Sequence, residues 1–444
     1  MNGLTRMLAV AALFPAALFA QAAKPPSTAT DRFAQLQAEL RRTHENGDFA
    51  AYLAGSRALY AFLNGSPRAT LQLMSAETLA GRPQEALRSF AEYVAMGQSD
   101  EAVLKAKSFD ALRVSPGYQT LRDAMAENTR SISSASAALR LDTARVPEDI
   151  DYDPLTKSFF VSTVLGQQIL QVDMAGRTKA FAAAPDHWPM MALKIDPRRR
   201  IVWATEVAVE GFASIRKEDW GRSAVLQYDL RTGRLLQRIE GPAKAALGDM
   251  ALDSNGNAIV ADGDQGGVYR IDAGTRRVER IEGGDFISPQ TPVVLADGRH
   301  VLVPDYVRGI GILDLASRRV VWIGAPGKHA LSGIDGLYAA GRILIATQNG
   351  VAPERVVRFT LDAAGTGIAS EGIIERGTST LGDPTHGVIV GDDFYYIADS
   401  GWNVLDDHGN ILPGKALPAA SIMRAAIHGG AASVSMSASR AADG

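Results

Sequence analysis

Apolar residues recur at helical spacing from Asp31 to about Arg130: Phe33, Leu36 and Leu40, then Phe49, Tyr52 and Leu53, then Leu71, Leu73, Met74 and Leu79. On a background rich in Ala, Leu, Glu, Gln and Arg, this rhythm predicts amphipathic helices. Turn signals at Asn46-Gly47-Asp48, Asn64-Gly65-Ser66-Pro67 and Gly81-Arg82-Pro83 separate the runs. Past a Ser/Ala-rich joint at Ser131 to Ala137 the rhythm changes to short β-branched runs of period two broken by Gly and Asp, which predicts strands. Two domains follow, a helical one over 31–130 and a β one over 138–428.

One unit recurs through the β region. An apolar strand turns on Asp, Asn or Gly and returns on a second strand ending in a small residue and then a polar one. Examples are Gly248-Asp249-Met250 returning to Val260-Ala261-Asp262, and Ile334-Asp335-Gly336 returning to Ile345-Ala346-Thr347. With Glu148, Met191, Gly248, Thr291, Asp335 and His386 as equivalent anchors, the spacings are 43, 57, 43, 44 and 51 residues. Units of that length holding three or four strands are propeller blades, and the count predicts six. The long second interval contains Val209 to Ser223, read as a surface insertion. Ala137 to Asp142 is expected to pair with the last blade and close the ring, which removes the exposed sheet edge. Two packed β-sandwiches are the competing architecture, but they do not predict a turn-and-return unit at this period. The fold class is therefore mainly β, a six-bladed propeller preceded by a small all-α domain. In that domain Gly47 and Gly81 lie 34 residues apart, and Leu71 to Met96, with Gly81, Ala86 and Phe90, resembles a tetratricopeptide unit. A generic helical hairpin bundle is the plainer alternative.

Composition narrows the chemistry. The 444 residues contain no cysteine, which excludes thiolate metal sites, disulfides and cysteine nucleophiles together. Lys and Arg number 46 against 49 Asp and Glu, a net charge of −3 without a basic run, so no nucleic-acid partner and no polybasic membrane anchor are expected. Arg6, an apolar stretch from Leu8 to Ala20 and Ala20-Gln21-Ala22 have the layout of a secretory signal peptide spanning residues 1–22, cleaved after Ala22. The expectation is a periplasmic or secreted protein with no membrane insertion after cleavage. The Ala/Ser/Gly-rich tail over 429–444 is expected to be disordered. No Gly-x-Ser-x-Gly elbow, Walker loop or His-Glu-x-x-His occurs, which weighs against serine-hydrolase, nucleotide-hydrolase and zincin chemistry.

In a propeller the start of each first strand and the end of each second strand reach one face. The starts supply Glu148, Asp249, Gln290, Asp335 and His386; the second-strand ends supply Glu206, Asp262, Asp305, Asn349 and Asp399. A mouth of carboxylates and amides with one imidazole suits a hard divalent cation with oxygen ligands, Ca²⁺ above all. Asp153, Asp196, Asp253 and Asp297 read as turn formers bonding their own backbone. Glu148 and Asp335 interrupt apolar strand starts, where a charge is costly unless paired or metal-bound. Trp188, Trp220 and Trp402 lie in loops beside the same face and are candidates for a pocket wall or for core cover.

Four blade starts, Pro147-Glu148-Asp149-Ile150, Gly248-Asp249-Met250, Gly333-Ile334-Asp335-Gly336 and Asp383-Pro384-Thr385-His386-Gly387, resemble those of the senescence marker protein and gluconolactonase-like family, regucalcin-type lactonases included. The resemblance implies a divalent metal at the mouth, with Glu148 and Asp335 matching the first and last ligands. At the middle ligands the chain departs from the family's Asn residues; Asp249 and Gln290 stand nearest, and Asn349 is placed to reach the site from the end of a strand. It also implies lactone hydrolysis in which the metal polarises the carbonyl and Asp335 activates water. Gln290, Asn349 and His386 are then expected at the substrate. The expected activity is metal-dependent hydrolysis of a lactone, a related ester or a sugar derivative. Its rival is a non-catalytic propeller that binds a ligand or protein, with the helical domain docking a protein partner.

Overall fold

The computed structural model describes residues 28–141 and 145–428; the signal peptide and the tail expected from the sequence lie outside them. Among the described residues four helices come first, Ala29–Glu45, Phe49–Phe62, Pro67–Leu79 and Pro83–Ala95. Each begins where local chemistry favours it. Thr28 and Asp31 form a capping box, Asp48 accepts from the Ala51 N–H, and Pro67 and Pro83 occupy first turns, where a missing N–H costs nothing. Shorter helical pieces continue to Tyr118–Glu127. Among the described residues no helix is long and apolar enough to cross a membrane.

Six antiparallel sheets follow, one per predicted unit. Blades one to four are four-stranded meanders whose first strands are Pro147–Asp153, Met190–Asp196, Leu247–Leu252 and Val293–Val294; blade five begins at Gly336–Ala340 and blade six at Gly387–Val390. Ser136–Leu141 pairs with Ala420–Ala426 as the outer strand of blade six, so a segment preceding blade one closes the ring. A closure the sequence did not indicate accompanies it: Ile132–Ser133 adds a fifth strand to blade five against Arg376 and Glu375. Packing agrees with a closed ring, since each of the six blade junctions holds its own buried apolar cluster, for example Phe160 against Leu193 and Leu226, and Leu141 with Ile422 against Ile150.

The helices lie over blades four and five. Ile287 and Val307 of the propeller enter the same cluster as Leu36, Leu59 and Leu63, and Met96 packs with Ala330 and Val351. Polar contacts are local to the same two blades. Arg308 donates through Nε to the Phe62 carbonyl at 2.9 Å while its guanidinium stacks between the Phe62 and Trp322 rings, and the Ser99 N–H donates to the Ala352 carbonyl at 2.6 Å. One face of the helical unit is thus taken up by the propeller itself.

Candidate active site at the propeller mouth

In blades one to three the first strand slips register where it starts, between Pro147 and Ile150, Met190 and Leu193, and Leu247 and Asp249. A bulge there takes the anchor residues out of the ladder and re-aims their side chains toward the axis. Glu148 and Asp149 are consequently buried outside the ladder, and Asp249, paired with Ala261 next to the bulged Gly248, is buried too.

A belt of hydrogen bonds then crosses the axis. His386 Nε2 lies 2.7 Å from Asp249 Oδ1, and its Nδ1 lies 3.0 Å from the Glu148 carbonyl oxygen. Blades six and three face each other in a ring of six, so this contact spans the channel. Thr291, at the start of blade four, approaches the same Asp249 oxygen at 2.6 Å and the Asp335 carbonyl at 3.0 Å. Asn349 donates to Asp335 Oδ2 at 2.7 Å and to the Pro384 carbonyl at 3.1 Å, and Tyr306 O–H donates to Asn349 Oδ1 at 3.0 Å. The Asn349 amide is thereby fixed with its NH₂ toward Asp335. Gly333 and Gly350 make this corner close: Gly350 N donates to the Gly333 carbonyl at 3.1 Å, and a Cβ on Gly350 would stand 2.6 Å from Gly333 Cα.

Both partners of His386 are acceptors only, a carboxylate and a carbonyl, so both ring nitrogens carry protons and the ring is an imidazolium. Burial, with the residue 2% exposed, opposes that charge, and the carboxylates of Asp335 and Asp249 overcome it, holding the pKa well above the ordinary histidine value. Deeper along the channel Lys194 Nζ meets Asp149 Oδ2 at 2.6 Å. Burial raises Asp151 beside it to about 6 against the pull of Lys194. Asp149 and Asp151 also accept the Leu193 and Ile195 N–H groups at 2.7 Å, stitching the first strand of blade one to that of blade two.

Of the residues expected at the site, Glu148, Asp249, Asp335, Asn349 and His386 do gather at the mouth. Gln290 does not join the belt; its amide donates back to Ser288 at 3.2 and 3.3 Å. The carboxylates expected to ligate Ca²⁺ have protein partners in the structure. Glu148 Oε2 accepts from the Trp402 indole N–H, Asp249 Oδ1 is shared by His386 and Thr291, and Asp335 Oδ2 holds Asn349. Among the described residues no three Asp, Glu or His side chains are placed to hold a metal ion. Ca²⁺ asks for six to eight oxygen ligands; here one oxygen of each of the three carboxylates already accepts from an N–H or O–H donor and an imidazolium lies among them, an arrangement that suits a cation poorly. Thr291, Tyr306, Lys194 and Trp402 belong to the site without having been assigned to it; Thr291 was visible as a blade anchor and Trp402 as a rim aromatic, whereas nothing local marked Tyr306 or Lys194.

The remaining acidic positions separate cleanly. Asp153, Asp196, Asp253 and Asp297 accept backbone N–H groups two to four residues on, as turn formers do. Asp262 and Asp305 add N–H groups from the preceding blade connection, Ala246 and Ile287, and so bind blade to blade. Glu206 is different. It is fully buried, and burial together with the Asp186 carboxylate pushes it up to about 8. Between the unfolded value near 4.5 and 8 the folded chain keeps a proton that the unfolded chain loses, so stability falls as pH rises through that window. Melting temperature is expected to drop by a few degrees between pH 5 and pH 8, and Glu206→Gln should flatten that slope; an unchanged slope would refute the assignment.

The mouth has two unlike walls. On one side the insertion between the second and third strands of blade two and the loop between the second and third strands of blade six bury Phe212 and Ile215 with Trp188, and pack Trp220, Trp402 and Met191 against them. The insertion read as surface is therefore part of an aromatic cover. On the other side stand Tyr306, Asn349 and the helical unit. Asp335, only partly buried, is the belt carboxylate most open to the mouth.

No protein-family profile and no curated protein matches the sequence. Solved structures do match in shape: virginiamycin B lyase from Staphylococcus aureus (TM-score 0.44, 14% identity, 58% of this chain and 79% of that one), the PQQ-bound aldose sugar dehydrogenase from Streptomyces coelicolor (0.45, 13%, 67% and 99%) and a luciferin-regenerating enzyme (0.45, 12%, 66% and 95%). The likeness is one of propeller fold.

Proposed function

We propose that the mouth is the active site of an exported hydrolase acting on a lactone or a related ester, with Asp335 as general base. The observation that carries this reading is a carboxylate pinned through Oδ2 by an oriented amide, Asn349, yet partly open at the one place where all six blade starts converge. A general base needs a defined position beside the reacting water before its pKa matters, and Asn349, itself held by Tyr306 and Pro384, provides that position. Water attacking the carbonyl carbon gives its proton to Asp335. When the acyl–oxygen bond breaks, the proton passes to the departing alkoxide, leaving a carboxylic acid and an alcohol joined in one molecule if the substrate is a lactone. His386, buried with both nitrogens engaged, touches no substrate; it positions Asp249 and Thr291 and supplies fixed positive charge behind the base.

Asp335→Asn keeps the Asn349 contact and removes the base, and turnover of a panel of γ- and δ-lactones and aryl esters should fall by about 10²- to 10⁴-fold. Wild-type rates should be the same in EDTA and in Ca²⁺. Rates that vanish in EDTA and return with Ca²⁺ would favour the metal-dependent reading instead, and unchanged turnover in Asp335→Asn would refute both. The export part of the reading is checked by N-terminal sequencing of periplasmic material, which should begin at Ala23.

A further inference from the structure

The mouth collects carboxylates from blades one, three and five, an arrangement that in isolation attracts a cation. What lies among them is a side chain. His386 reaches in from blade six, pairs with the Asp249 carboxylate at 2.7 Å and with the Glu148 carbonyl at 3.0 Å, and is 2% exposed. Thr291 Oγ1 converges on the same Asp249 oxygen at 2.6 Å. The two atoms that hold the ring are oxygens from blades three and one, and the Thr291 hydroxyl of blade four braces the first of them.

We infer that the His386 imidazolium is the resident cation of this propeller, that it keeps divalent ions out of the mouth, and that shortening it opens an oxygen-lined site that binds one. The inference stands on the position of His386 among its acceptors and is independent of whether the mouth hydrolyses anything. Its physical basis is simple. A divalent ion approaching Asp249 would have to displace a hydrogen-bonded positive charge and then sit beside it, and like charges at contact distance repel strongly in a desolvated site. Remove the ring and Asp249 Oδ1, braced by Thr291, and the Glu148 carbonyl oxygen face a volume about the size of an imidazole.

Tb³⁺ is a suitable probe, because it takes Ca²⁺-type oxygen ligands and because Trp402, whose indole N–H donates to Glu148, stands close enough to sensitise its luminescence. Wild-type protein should give no more Tb³⁺ emission than Asp249→Asn. His386→Ala should bind Tb³⁺ at least about tenfold more tightly than either, with Ca²⁺ displacing it, and the gain should disappear in the His386→Ala, Asp249→Asn double variant. His386→Asn, which keeps a donor toward Asp249, takes the place of the Ala variant if that chain fails to fold. Wild-type emission that exceeds the Asp249→Asn background would overturn the inference, because the mouth would then hold a cation with His386 in place. A folded His386 variant that binds no better than wild type would overturn it equally.

Discussion

Replacing Asp249 with Leu is expected to lower folding stability by about 3 kcal/mol or more at pH 6, the usual cost of stranding one member of a buried ion pair. Asp249 is 7% exposed and its Oδ1 serves two donors, His386 Nε2 and Thr291 Oγ1. Without it the imidazolium keeps only the Glu148 carbonyl as a direct partner. The pH dependence follows from the direction of the His386 shift. A histidine whose folded pKa is raised well above 6.5 contributes stability that is fully present below 6.5 and is lost as pH climbs through the folded value. Asp249→Leu pulls that folded value down, so the difference between wild type and variant should be largest at pH 6 and should shrink at pH 9. Urea unfolding at the two pH values measures it. Adding His386→Leu to Asp249→Leu should recover part of the loss, since two apolar groups strand less charge than one broken pair. An equal cost at both pH values would mean that the Asp249 contribution is packing rather than charge.

The ring was legible in the sequence because a blade has a local signature. A turn-and-return unit at intervals of 43 to 57 residues predicts the blade count and the need for a closing strand, while leaving three or four strands per blade open. The helices were legible for the same reason, down to the turns at Gly47, Gly65 and Gly81, each of which has a positive φ in the structure. Part of the list of residues at the mouth, Glu148, Asp249, Asp335, Asn349 and His386, also followed from period, since equivalent anchors must share a face. What could not be read was who pairs with whom. Asp249 and His386 are 137 residues apart, and Thr291 and Asp335 meet only because blades four and five adjoin. A carboxylate at a strand start has the same sequence signature whether it binds Ca²⁺ or a histidine. The choice is made by which side chain arrives from the opposite blade, and one turn of sequence around Asp249 or Asp335 contains no record of it. The fifth strand on blade five was missed because Ile132 and Ser133 form a two-residue strand inside a Ser-rich joint, too short for periodicity to register.

The second large effect belongs to Arg355, which is fully buried between the helical unit and blade five. Its Nε donates to Gln348 Oε1 at 2.7 Å, its Nη1 to the Met96 carbonyl at 3.2 Å, and Glu371 lies 3.8 Å away. Gly97 makes room for it: a Cβ there would stand 2.4 Å from Arg355 Nη1. Gln348 in turn donates to the Ala330 and Ser332 carbonyls and immediately precedes Asn349, which holds Asp335. Burial lowers the pKa of Arg355, and the Glu371 carboxylate partly offsets that. Arg355→Met fills similar volume but leaves the Gln348 and Met96 oxygens without this donor in a dry interface, at a cost of about 1 to 3 kcal/mol for each stranded group. The loss should fall on the interface first. Limited proteolysis should then cut the connection near Thr129 to Ser131 well before the blades, whereas wild type should resist at both places. Arg355→Lys is expected to behave nearly as badly, because one ammonium on a flexible stem cannot reproduce two donors in the fixed fork that spans Gln348 and Met96. If the mouth is catalytic as proposed, with Asn349 acting by positioning the base, both variants should lower kcat more than they raise KM. Full resistance to proteolysis in Arg355→Met would show that the apolar contacts of Met96, Ala330 and Val351 hold the helical unit without the arginine.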